Sequence, residues 1–514
     1  LAARELTEVG GQFPGWGGDN NVVHWAGGNA HVAFNLSDAK AFEVQKGADA
    51  KAKKEAEKVE SAELEEGAEK KEEKDDIPKE YEPTERRIEV KATRDIPQGT
   101  VLFKNARLLT MKDNEVLEGT DILIENNRIK EIGKNIQVDR NVKVVDATGK
   151  TILPGFVDTH SHFRHPVNLH RGEFWPYLTN LAFGVTTTRD PQTATTDVLT
   201  YGDLVDAGKL IGPRIYSTGP GIFGSENVSS LAHARKVMTR YSGYYNTKTV
   251  KMYGAGNRQQ RQWIIQAARE QNIMPTTEGG LDFKNNLTQV IDGYPGHEHS
   301  FPIFPLYKDV IDLVAFSRTV YTPTLLVAYG GPWTENYFYA TENPHDDPKL
   351  THFMPHWNLD FRTRRRDAGW FMEDEYVHVE QSTFAKDLIE AGGRAGIGSH
   401  GQLQGLGYHW ELWAVQSGGM TTYDALRVAT ILGAEAIGLD QDLGSLEVGK
   451  LGDLVILNSN PLDNIRNSKD ISQVMMNGRL YEGNTLDEVH PEQKKMQQFW
   501  WQDYAPKGVP GITQ

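Results

Sequence analysis

Two histidines two residues apart, His160 and His162, close a short apolar run from Ile152 to Val157. On a strand, residues i and i+2 point to the same face. The pair can therefore grip one ion from the C-terminal end of a buried strand. Neutral imidazole suits zinc, iron, nickel or copper. The competing reading is two surface histidines on a loop, and a bare His-x-His does not separate them. The rest of the chain has to supply further ligands and a scaffold that brings them together.

Polar residues recur where short strands end. Eight such ends can be placed, at His162, Asp190, Gly219, Lys251, Glu278, His299, Leu325 and His400. Helical stretches separate them, and short strands alternating with helices indicate a parallel βα architecture. Eight of these units predict an α/β fold of the (β/α)8 TIM-like barrel type over residues 153–435. In such a barrel the site lies at the C-terminal face of the strands. Strand-like runs flank it on both sides, Val101–Leu109 and Asp121–Ile129 before, Leu443–Leu457 and Val474–Leu480 after. They predict a small β domain built from 99–152 and 436–483, with 484–514 as a C-terminal tail.

Residues 1–44 carry a short N-terminal β segment. Two alternating runs, Asn21–Trp25 and Ala30–Phe34, are split by Gly27-Gly-Asn29, a hairpin signal. Residues 45–98 read as a charged linker. Its stretch 45–87 holds 11 Lys/Arg against 15 Asp/Glu with almost no apolar residues. Interleaved signs fit a solvated single helix or a disordered connection rather than a polyacidic tail.

Composition removes several classes. A net charge of −15 argues against nucleic acid as a partner. The absence of cysteine excludes disulfides, thiolate ligands and a cysteine nucleophile. No run of 18 apolar residues exists, so no transmembrane helix is expected. A chain opening at Leu1 without a charged and apolar leader reads as a processed product or a fragment. Export to the periplasm or beyond is favoured over the cytoplasm, and oligomers are compatible with all of this.

Leu153-Pro-Gly-Phe-Val-Asp-Thr-His-Ser-His162, Gly184–Asp190, Gly212–Gly219 and the tail from Thr421 to Asp463 together resemble the amidohydrolase superfamily. The likeness covers roughly 99–483. It is nearest the imidazolonepropionase- and prolidase-like branch, above all amidohydrolase domains that follow a TolB-type propeller. The N-terminal segment looks like one blade-type repeat of such a propeller, so an upstream propeller domain or chain is an implied partner.

The resemblance implies one or two divalent ions, zinc first, held by His160 and His162, by Lys251 as a carboxylated lysine, and by His299. His297 stays open as an alternative to His299, and a lysine paired with a carboxylate is the alternative for Lys251. Two positions depart from the pattern. Glu278 stands where the fifth strand usually offers histidine, and His400 stands where the eighth usually offers aspartate. The two changes look like an exchange of ligand types. The implied activity is hydrolysis of an amide-type C–N bond in a cyclic amide, dipeptide-like or related small molecule by an activated water. His400 is expected as base or ligand and Glu278 as the rival base, with Glu298 the next candidate. Arg164, His165, Tyr253, Tyr329, Tyr408, His409 and Trp410 are candidate substrate contacts. The competing functions are a catalytically reduced barrel serving as a binding subunit, and an isomerase or lyase using the same metals.

Overall fold

The structure is a computed structural model, and it describes residues 6, 7, 9–63, 80–167, 170–254, 256–364 and 370–504. The chain divides into two compact units. The first comprises 1–91 and 235–246, the second 92–234 and 247–514.

The first unit holds a four-stranded antiparallel sheet, its strands Gln12–Trp16, Val22–Gly27, Ala30–Asn35 and Thr84–Arg87 in sequence order. The hairpin turn needs Gly28. Its φ is +54°, and a Cβ there would meet the Tyr244 carbonyl oxygen at 2.1 Å. Alternation buries Trp25, Val32 and Phe34 on one face. The helix Leu36–Glu63 takes up the first part of the charged stretch, and residues 64–79 lie outside the described ones. Thr84–Arg87 corrects the linker reading. It pairs with Ala30–Ala33 as an edge strand whose four residues are all exposed. A charged edge strand keeps water and discourages further pairing, so it carries no apolar alternation to betray it.

In the second unit, eight short parallel strands alternate with helices. Phe156–Asp158, Val185–Asp190 and Arg214–Ser217 pair in one arc. Thr249–Tyr253, Met274–Glu278, Gly296–Glu298, Val320–Thr322 and Arg394–Ala395 pair in a second. Individual backbone bonds run between the first and last strand ends, Thr159 N to Ile397 O at 2.8 Å and His400 N to His160 O at 2.7 Å. The helices carry their own start signals. Asn257 and Gln260 form a reciprocal capping box before Arg258–Glu270, which satisfies amide groups that the first helical turn leaves free.

A nine-stranded sheet is assembled from both flanks. Thr151–Pro154 and Leu454–Leu457 join its halves in an antiparallel ladder. Thr151–Pro154 therefore belongs to this sheet, and the barrel begins at Gly155–Phe156. Glu488–His490, placed by the sequence in the tail, adds an edge strand. Among the described residues no helix is long and apolar enough to cross a membrane.

Lys349 joins this sheet to the barrel helices. Its Nζ donates to Ala182 O at 3.2 Å and to Ile471 O at 3.3 Å. Among the described residues no carboxylate forms an ion pair with it, and burial pushes its ammonium down to about 8. Between that value and the unfolded value of 10.5, the unfolded chain binds the extra proton. Stability must therefore rise with pH across this window, by roughly 3 kcal/mol in full. Lys349→Met removes the titrating group. The stability difference between wild type and variant, from denaturant unfolding at pH 7.5, 9 and 10, should move in favour of wild type as pH rises. A pH-independent difference contradicts the assignment.

Candidate metal centre

The first strand delivers His160 and His162 through a local lock. Asp158, fully buried, accepts from His160 N and Ser399 N at 3.1 Å each and from Ser399 Oγ at 2.5 Å. One carboxylate thus ties the first strand end to the loop after the eighth. Burial raises its pKa to about 6, against the pull of those donors.

Four imidazoles converge above this lock. His160 Nε2 lies 3.3 Å from His162 Nε2. The ring centroids of His299 and His400 each stand 5.1 Å from that of His160. Ligand atoms of His160, His299 and His400 all lie within 4.8 Å of one another. Lys251 Nζ is 3.4 Å from His160 Nε2. Glu278 closes the ring of groups, 2.6 Å from Lys251 Nζ and 3.0 Å from His299 Nε2. All six sequence candidates for metal binding are therefore in one place. The Lys251–Glu278 ion pair also realises the alternative of a lysine paired with a carboxylate.

The sixth strand explains why His299, not His297, joins the cluster. The strand ends at Glu298, and His299 has φ +72°. A left-handed residue breaks the two-residue alternation, so Glu298 and His299 both reach the centre. His297 packs on Phe301, with ring centroids 4.9 Å apart. It is fully buried, and burial lowers its pKa to about 4.

Three of the four central rings are oriented by a close partner. Glu298 Oε2 lies 2.7 Å from His160 Nδ1, while its Oε1 accepts from Arg189 at 2.6 Å. Glu298 is thus held as an orienting carboxylate, not as a free base. Thr324 Oγ1 lies 2.6 Å from His299 Nδ1. Gln192 O lies 3.1 Å from His162 Nδ1. Such partners fix ring orientation and raise ligand basicity. Arg189 and Thr324 escaped the sequence reading. The available signal for Arg189 was a polar run, Thr186–Asp190, inside a buried strand.

The electrostatics suit a cation. Burial, reinforced by the Lys251 ammonium and neighbouring imidazoles, holds His160 well below the ordinary histidine range. Burial and the facing His162 do the same to His400. Neutral imidazoles keep a lone pair for coordination. Burial alone would raise Glu278, but Lys251 and His299 outweigh it and hold the carboxyl well below its usual range. Four imidazoles and an ionised carboxylate fit a divalent ion. Lys251 as an ammonium offers no lone pair and fits only after its charge is changed.

The candidate substrate contacts separate. Arg164 lines a cavity that His162 borders. His165 instead stacks on Phe174 at 5.0 Å and bonds Tyr177 OH at 2.6 Å. Tyr329 OH donates to Glu278 Oε1 at 2.9 Å, and the Tyr253 ring centroid lies 4.8 Å from Lys251 Nζ. Tyr408, His409 and Trp410 are corrected outright. They sit on the helix Leu406–Gln416, fully buried, with His409 bonded to Phe183 O and Ser468 Oγ. A helix apolar nearly all round packs inside and offers no side chain to a ligand.

Residues 151–481 match the model of the Amidohydrolase family, well over half of the chain. The chain belongs to the amidohydrolase family. It is similar to a 5'-deoxyadenosine deaminase of Methanobrevibacter smithii, 24% identical over 415 residues, which covers 73% of this chain and 87% of the relative. It is similar to a dihydroorotase of Lactococcus lactis, 49% identical over 74 residues, only 14% of this chain and 16% of the relative. A solved Xaa-Pro dipeptidase with bound methionine aligns over 75% of this chain and 100% of its own, with a TM-score of 0.58 and 21% identity. That likeness concerns the fold, a TIM-like α/β barrel. As an amidohydrolase with enzyme relatives, the chain is a hydrolase acting on C–N bonds.

Proposed function

We propose that this amidohydrolase cleaves an amide-type C–N bond of a small organic or dipeptide-like molecule with a divalent ion, zinc first among candidates. The observation that carries the reading is the convergence of four imidazoles, Lys251 and Glu278 at the strand ends within the matched region. His160, His162, His299, His400 and Glu278 would hold the ion, joined by Lys251 once carboxylated at Nζ. A bound ion acidifies water toward neutral pH and polarises a carbonyl.

The chain's own groups do the rest. Glu298 and Thr324 keep the rings of His160 and His299 aimed inward. The water oxygen bonds to the carbonyl carbon, the C–N bond breaks, and a water proton ends on the leaving nitrogen. His400 is the proposed carrier of that proton, with Glu278 the rival. The four-stranded N-terminal sheet supports the reading of a propeller remnant, since propeller blades are four-stranded sheets.

The Lys251–Glu278 ion pair favours one second reading, a barrel that has lost its metal and serves as a binding subunit. Elemental analysis of the purified protein, then chelator stripping and re-addition of zinc, manganese or cobalt, decides between them. Near-stoichiometric metal is expected. Amine release from an amide panel should vanish on stripping and return on re-addition. A protein that takes up no metal and hydrolyses nothing supports the binding subunit.

A further inference from the structure

A cavity of about 560 Å³ opens beside His162, lined among others by Arg164, Trp175, Trp357, Phe361 and Gln402. Pockets of this size accept drug-sized organic molecules. Trp357 and Phe361 lie four residues apart on the helix His356–Thr363, so they share one face. Both remain more than half exposed, at 61% and 59%. Leaving such side chains in water forgoes about 1.5–3 kcal/mol of burial each. Two aromatic rings held open on the wall of one cavity are suited to covering an apolar ligand group.

Arg164 supplies the polar part. It stands two residues beyond His162, with φ +51°. A non-glycine residue in the left-handed region costs of order 1–3 kcal/mol, and such strain concentrates at functional positions. Arg164 is exposed and has no ion-pair partner among the described residues. The chain as a whole carries a charge of −15. Any attraction of this cavity for an anion must therefore be local, and a guanidinium matches a carboxylate with two parallel hydrogen bonds. Because Arg164 follows His162 so closely, the anionic group belongs near the scissile bond. An α-carboxylate meets that demand, since it is two bonds from an amide nitrogen.

We propose that this cavity recognises an amino acid with a free α-carboxylate and an aromatic side chain, acylated on its nitrogen. The carboxylate sits on Arg164 and the ring is covered by Trp357 and Phe361. The proposal rests on the reading of C–N hydrolysis at the adjacent centre, so binding and turnover are measured separately.

Binding is read by calorimetric titration with 3-phenylpropionate, 3-phenylpropanol and propionate, on metal-loaded and on chelator-stripped protein. The stripped arm separates Arg164 from direct capture of the carboxylate by an ion. In both arms 3-phenylpropionate should bind at least about tenfold tighter than either analogue, as one charged hydrogen-bonded contact or one buried ring is worth. Arg164→Met should remove the advantage over the alcohol only, and Arg164→Lys should restore part of it. The pair Trp357→Ala with Phe361→Ala should remove the advantage over propionate only. These three variants alter exposed side chains and should fold. Turnover is read on N-acetyl-L-phenylalanine and N-acetylphenethylamine, which share the scissile bond. Arg164→Met should raise KM for the first and leave the second unchanged. Equal binding of 3-phenylpropionate by wild type and Arg164→Met overturns the proposal, as does equal weakening of acid and alcohol. If the binding pattern holds and neither amide is cleaved, hydrolysis at the centre is what fails.

Discussion

Alanine at His160 leaves a folded protein that retains no metal and hydrolyses at least about 10³-fold more slowly, as the loss of several kcal/mol of charge stabilisation requires. His160 is the hub of the cluster. Its Nε2 faces both His162 and Lys251 within 3.4 Å, and its Nδ1 is fixed by Glu298. Among the described residues no other touches as many of the candidate ligands. The fold should survive because the charge left behind stays paired. Glu298 keeps its bond to Arg189, whose remaining donors engage Thr249 and Thr276. Deleting a buried ring still costs packing, of the order of a few kcal/mol.

His297→Ala is the control. It removes another fully buried imidazole, from the sixth strand, with a similar packing cost and no group aimed at the cluster. It should lose stability and keep its metal. Elemental analysis after dialysis, beside thermal unfolding by circular dichroism, separates the two variants. Full metal occupancy in His160→Ala contradicts the central assignment of the site.

The strand ends were readable in the sequence because a parallel barrel forces polarity there. Strand interiors are buried on both faces, so polar residues collect at the C-terminal rim. That is why His162, Lys251, Glu278, His299 and His400 stand out in the sequence. The choice between His297 and His299 was not readable. It depends on a left-handed residue at 299, and alternation rules assume regular backbone. Arg189 and Thr324 were hidden for another reason. Each acts through a partner more than 20 residues away, and such partnerships exist only once the strands are side by side. Tyr408, His409 and Trp410 misled because aromatic residues near a strand end suit either a ligand pocket or a core. The helix that carries them buries every side.

Glu278 and His400 carry the second large effect. Glu278→Gln should cost about 3 kcal/mol or more of stability in the metal-free protein, the usual penalty for leaving a buried charge unpaired. Lys251 is fully buried, Glu278 is the only carboxylate within ion-pair distance of it among the described residues, and the Tyr329 hydroxyl and His299 aim at that same carboxylate. If the two departures are an exchange of ligand types, each harms the centre alone and they compensate together. Glu278→His supplies a fifth imidazole and removes the anion. His400→Asp adds a second anion beside Glu278. The double variant returns the cluster to four imidazoles, one carboxylate and one lysine, which is the inventory the wild type already has. It should bind metal nearly as well as wild type and keep measurable hydrolysis, while each single variant loses roughly 10²-fold or more in rate, comparable to removing one positioned proton carrier. Residues that share a site depart from additivity by 0.5–3 kcal/mol, and here the sign should be favourable. Metal affinity and kcat/KM across the four proteins give the coupling directly. Simple addition of the two single losses means that Glu278 and His400 act independently, and the exchange is then wrong even though both face the same ion site.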